Sequence, residues 1–170
     1  MKKIFALMLA LCLLCGAALA NELTWDSVAE TADQIAGGFK TYDDIAVKIW
    51  IPEILQETEL TDEDKEDGFI GYYMTAEGTA AVSVRYVNVD GQTLEAFEAE
   101  LKENAEVSGI ETGSVNGLAG LSYDIKGKDT ACMAFATQKG YILEVACAPM
   151  SDEAFAAIAG IIISSIQSAE

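Results

Sequence analysis

The chain has 170 residues, with 28 acids against 10 bases, no histidine and a formal net charge of −18. This charge disfavours nucleic acid, because phosphate contact depends on clustered Lys and Arg, and it disfavours an anionic membrane surface for the same reason. The missing histidine removes His-based triads, His metal sites and the usual general base at neutral pH. A hydrophobic content of 51% separates the chain from a disordered acidic tail, and the length fits one domain.

Lys2 and Lys3 give a short positive n-region, Ile4 to Leu14 an apolar stretch, and Ala18-Leu19-Ala20 the small-x-small pattern of a signal peptidase site. Residues 1–20 therefore read as a cleavable secretory signal peptide, with Asn21 first in the mature chain. The apolar run falls short of the about 20 residues that span a bilayer. Cys12 and Cys15 each follow a leucine, where a lipidated cysteine normally follows a small residue. The expected product is a secreted, extracellular or cell-envelope domain of residues 21–170, with no membrane span after cleavage. Cleavage takes two bases with it, so the mature charge becomes −20, and it leaves Cys132 and Cys147 as the remaining cysteines. The bland role of such a charge is solubility.

Thr24 is placed to cap an amphipathic helix carrying Trp25, Val28, Ala29, Ala32, Ile35 and Ala36, stopped by Gly37-Gly38. Phe39 to Tyr42 reads as extended and Asp43-Asp44 as a turn. Ile45, Val47, Ile49 and Ile51 then alternate with Ala46, Lys48 and Trp50 as far as Pro52, which predicts a strand. Glu53 to Gly68 is polar and acidic, a loop with at most one helical turn around Ile54 to Glu57. Phe69 to Thr75 and Ala81 to Val89 form a hairpin across Ala76-Glu77-Gly78-Thr79. Thr93 caps a second helix with Leu94, Phe97 and Leu101 along one face. Asn116-Gly117 joins Ile110 to Val115 with Leu118 to Ile125, and Asn-Gly is a strong type I′ signal because both central residues need positive φ.

Ala131 to Thr137 and Tyr141 to Ala148 are apolar on both faces, so this last hairpin needs cover on both sides. A two-residue Lys139-Gly140 turn would set Cys132 directly opposite Cys147, at a spacing a disulfide accepts. Export favours that bridge. A loop one residue different would put the two on opposite faces and abolish it, and two buried thiols are the alternative. Ser151 begins a closing helix with Asp152 and Glu153 in its first turn and Phe155, Ile158, Ile162 and Ile166 as its main stripe. The expected class is α+β: a largely antiparallel sheet of about seven strands with helices on both faces, an α/β/α sandwich.

The "VKIWIP" strand, the "LEAFEAEL" helix, the "VNGLAGLSY" and "FATQKGYILEV" hairpins and the closing "IIISSI" helix together resemble the PsbP/Mog1-like domain family, from Phe39 to Ser168. The resemblance lies in the order and spacing of elements. It implies a three-layer sandwich used mainly as a non-enzymatic binding or accessory module. The family's partners differ so widely that no binding residue carries over, and a shared fold does not fix a function.

The acidic run from Asp62 to Asp67 fails the EF-hand pattern, since Asp67 stands at the glycine position and Tyr73 at the closing glutamate position. A solvated loop is the better reading. The pairs Glu57 with Glu59 and Asp62 with Asp64 could serve a glycosidase, but such pairs arise by chance among 28 acids. Serines lack a histidine partner and a G-x-S-x-G, and Cys132 and Cys147 sit in apolar strands rather than beside basic groups. Trp25, Trp50, Tyr72, Tyr73 and Tyr86 either line a ligand surface or fill the core. The expectation is an exported, acidic, non-enzymatic binding or accessory domain without cofactor, meeting a protein or cell-envelope component. A secreted enzyme of unrecognised type and a cation-binding acidic module are the alternatives.

Overall fold

A computed structural model describes residues 22–88, 91–137 and 139–169. The expected signal peptide, with Ala18, Ala20 and Asn21 at its cleavage site and Cys12 and Cys15, lies outside the described residues. In chain order the elements are α1 (Ala29–Ala32), β1 (Gly37–Tyr42), β2 (Val47–Pro52), β3 (Leu55–Glu57), α2 (Asp62–Glu66), β4 (Phe69–Thr75) and β5 (Ala81–Asn88). They continue with α3 (Leu94–Glu103), β6 (Val107–Val115), β7 (Leu118–Ile125), β8 (Ala131–Ala136), β9 (Ile142–Ala148), α4 (Glu153–Ser164) and β10 (Gln167–Ser168).

Seven of these strands form one antiparallel sheet in the order β3-β4-β5-β9-β8-β7-β6. Short hairpins make sequence neighbours into sheet neighbours. The exception is β5–β9: α3 carries the chain from β5 to the far edge, and β6 to β9 meander back to close against β5. A smaller sheet, β1-β2-β10, lies apart from the first.

The strands of the final hairpin are apolar on both faces because both faces are covered. On one, Phe97 and Leu101 of α3 pack with Leu121, Tyr123, Cys132, Ala134 and Ile142. On the other, α4 and the small sheet bury Val82, Val84, Met133, Phe135, Leu143 and Val145 together with Ile49, Phe155 and Ile162. Each such side chain, fully buried, stabilises by about 1.5–3 kcal/mol. The molecule is thus α+β with helices on both faces of a seven-stranded sheet.

Asn116 and Gly117 have φ of 46° and 79°, as the type I′ turn requires. The Asn116 side chain also clasps two distant segments. Its Oδ1 accepts from the Trp25 N–H at 2.7 Å, and its Nδ2 donates to the carbonyls of Ser164 and Ile166. The N-terminal segment is the first departure from expectation. The N-terminal helix is broken into a 3-10 turn at Trp25–Ser27 and the four-residue α1. Thr24 makes no side-chain cap bond, its carbonyl accepting the Ser27 N–H, and the Trp25 N–H is held by Asn116. Gly37-Gly38 opens β1 rather than closing a helix.

The acidic stretch departs too. Ile54 to Glu57 holds no helical turn, since Leu55–Glu57 is a strand pairing with β4. The helix falls instead at α2, where Thr61 and Asp64 form a reciprocal capping box. α4 is capped by Asp152, one residue after Ser151, and its carboxylate accepts from the N–H of Ala154 and Phe155.

The Cys132–Cys147 bridge is overturned by register. Thr137 and Tyr141 close the final hairpin through a Thr137 N–H to Tyr141 carbonyl bond, leaving three residues between them. Gly140, at φ 80°, takes the left-handed position that such a three-residue loop needs. The extra residue shifts the ladder by one, so Cys132 pairs with Ala146 and Cys147 with Ala131. Cys132 faces the α3 core and Cys147 the α4 core, on opposite sides of the sheet.

Candidate functional site

Glu144 is the sole charge in the otherwise apolar strand β9, and alternation sends it to the α3 face with Ile142 and Ala146. Its side chain is 4% exposed, and a carboxylate buried so deeply needs a partner. Directly opposite on β5 stands Arg85, the chain's only arginine, whose Nε donates to Glu144 Oε1 at 2.7 Å. Tyr123 donates its hydroxyl to Oε2 from β7, two strands away. It crosses the intervening β8 where that strand carries only Cys132 and Ala134.

Arg85, Tyr123 and Glu144 form the floor of a cleft of about 450 Å³ between α3 and the sheet. Phe97 and Leu101 from α3, Val107 from β6 and Ile125 from β7 give apolar walls, with Phe97 edge-on to the Tyr123 ring at 6.4 Å. Asp67, Asn104, Glu106 and Lys128 stand exposed around it. Thr93 positions the roof by capping α3 through the Ala96 N–H.

The electrostatics of the floor are those of a locked network. Burial, then the charge and hydrogen bond of Glu144, push the Tyr123 hydroxyl far above its ordinary value. Burial followed by the same charge pushes the Cys132 thiol up to about 12. Desolvation works against the Arg85 charge, but the Glu144 hydrogen bond and charge outweigh it and hold the guanidinium protonated. Phe69, paired with Arg85 across β4–β5, places its ring 5.7 Å beneath that guanidinium.

The other residues singled out in the sequence scatter. Trp50 and Tyr73 are buried in the α4 core, and Tyr73 shares a 2.9 Å hydroxyl contact with Tyr42. Trp25 packs on Trp50 at 6.3 Å and on the half-exposed Phe39 at 5.1 Å. Tyr72 is half-buried on β4, and Tyr86, edge-on to Tyr141 at 5.5 Å, alone of the five lines the cleft. Glu57 is exposed and paired with Lys40, Glu59 is exposed, and Asp64 is spent on capping α2. Among the described residues, no group of three or more His, Cys, Asp or Glu comes together as a metal set. Among the same residues, no helix is long and apolar enough to cross a membrane.

Arg85 and Glu144 escaped the sequence reading, although both carried a signal. One is the chain's only arginine, and the other is a lone acid in a strand apolar on both faces.

No family model and no curated protein sequence matches this chain. A structural likeness exists: the solution structure of cyanobacterial PsbP (CyanoP) from Synechocystis sp. PCC 6803 superposes with a TM-score of 0.59 at 11% identity. The match covers 79% of this chain and 93% of that one, and it shows a PsbP-like fold.

Proposed function

We propose that this protein is an exported, acidic, non-enzymatic binding or accessory domain, acting outside the cytoplasm through contacts with a protein or cell-envelope component. The observation that carries the reading is the state of the cleft floor. Catalytic acids, bases and nucleophiles work near the operating pH. Here Tyr123 is driven away from it, and Glu144 is engaged on both oxygens. The resemblance to PsbP-like domains, used mainly as accessory modules, agrees.

The test is capture from the source's envelope extract on the immobilised protein, run beside Asn104→Trp, which fills the cleft from an exposed position. A consistent component held by the parent and lost with Asn104→Trp supports the proposal. No consistent component, or turnover of an envelope substrate abolished by Glu144→Gln, overturns it.

A further inference from the structure

We infer that the α3 cleft is a binding site for a small apolar carboxylate, with Arg85 as its anchor; the inference rests on the binding reading above. A buried ion pair is weak support for stability, because apolar residues of like volume often serve as well. Its position beneath a cleft therefore asks for another role. Glu144 and Tyr123 line the floor but are buried, whereas Arg85 keeps 37% of its side chain accessible. A ligand reaching the floor meets the guanidinium, held in place by its Nε bond to Glu144 and by Phe69 beneath it.

A planar carboxylate matches the donor fork of a guanidinium. Lys128 stands at the rim as a second cation, and Phe97, Leu101, Val107 and Ile125 would cover the apolar body. Asp67 and Glu106 around the cleft and Glu144 on its floor disfavour a doubly charged phosphate head. The chain's overall negative charge is screened beyond about 8 Å at physiological ionic strength, whereas the contact with Arg85 is made at hydrogen-bond distance.

The experiment titrates the purified protein with octanoate, octanamide and octylamine, following backbone amide shifts by NMR. Octanoate is expected to shift the amides around Arg85, Phe97, Leu101 and Ile125 saturably, and to bind about tenfold more tightly than the other two. Arg85→Met alone risks misfolding by stranding Glu144, so the deciding variant is Arg85→Met/Glu144→Met/Tyr123→Phe, which removes the whole network. It should keep binding the apolar tail while losing the preference for the acid. Equal affinity for the three probes, shifts mapping elsewhere, no saturation at millimolar ligand, or an unchanged preference in the triple variant overturns the inference. If octanoate fails while the envelope component is still lost with Asn104→Trp, the ligand class alone is wrong. If that component is never found either, the binding reading falls with it.

Discussion

Glu144 lies directly opposite Arg85 in the β5–β9 ladder, and the 2.7 Å bond between them joins the chain's only arginine to a carboxylate 4% exposed. Removing either partner leaves a charge without its counterpart. Arg85→Met should destabilise the fold by about 2–4 kcal/mol, toward the low end for a buried pair because the arginine keeps solvent contact. The apolar triple variant should recover most of that loss. Urea unfolding of the single and combined variants, compared as a thermodynamic cycle, measures it, and additive effects would show that the pair is not coupled.

The register of the final hairpin makes a prediction about cysteines. Cys132 and Ala146 form a pair without mutual backbone hydrogen bonds, by alternation from the bonded Thr137–Tyr141 pair. Such pairs have a Cα separation of about 4.5 Å, inside the disulfide range. Ala146→Cys should therefore cross-link to Cys132 under oxidising conditions. The parent protein should yield no peptide joining Cys132 to Cys147 in a non-reduced digest, and finding one would mean the hairpin register is different.

Cys132, with its thiol pushed up to about 12 chiefly by burial, should resist alkylation in the folded protein at mildly alkaline pH and react once the chain is unfolded. The labelling rate at this position then reports opening of the α3 layer. Rapid modification under native conditions would show that the layer is loose.

Asn116 combines a left-handed turn with three side-chain hydrogen bonds to distant segments. Asn116→Gly keeps the turn and loses the clasp, whereas Asn116→Ala loses both. The glycine variant should cost about 1–3 kcal/mol for the stranded backbone groups, and the alanine variant more. Hydrogen exchange should locate the loosening at Trp25 and at the end of α4. Equal stability of parent and glycine variant would dismiss the clasp.

Asp64 is held below the ordinary carboxyl value of 3.8 by the Thr61 side-chain hydrogen bond first and the Thr61 backbone bond second. Because the folded value is the lower one, the capping box contributes fully above the unfolded value, and its contribution fades as pH falls through the folded value. An NMR titration should find the Asp64 midpoint below 3.8, and Thr61→Val should move it upward. No movement in that variant would place the cause elsewhere.

Local chemistry wrote much of the fold into the sequence. The Asn116-Gly117 turn, the Thr93 cap and the two-sided apolar character of Ala131 to Ala148 depend on residues near one another in the chain, and all appear as expected. The Asp62 to Glu66 helix was legible in principle, since Thr61 and Asp64 stand three apart at its start. Long-range partners decided the rest. Where the Trp25 N–H finds its partner depended on Asn116, far along the chain, and whether Cys132 meets Cys147 depended on one residue of loop length. The candidate site was hardest to see, because Arg85, Tyr123 and Glu144 come from three strands whose adjacency is set by β9 inserting beside β5. Composition alone determined that this is a histidine-free acidic domain with a core. Only the tertiary structure decided which charges are buried together, since burial is a property of the assembled layers and not of any one strand.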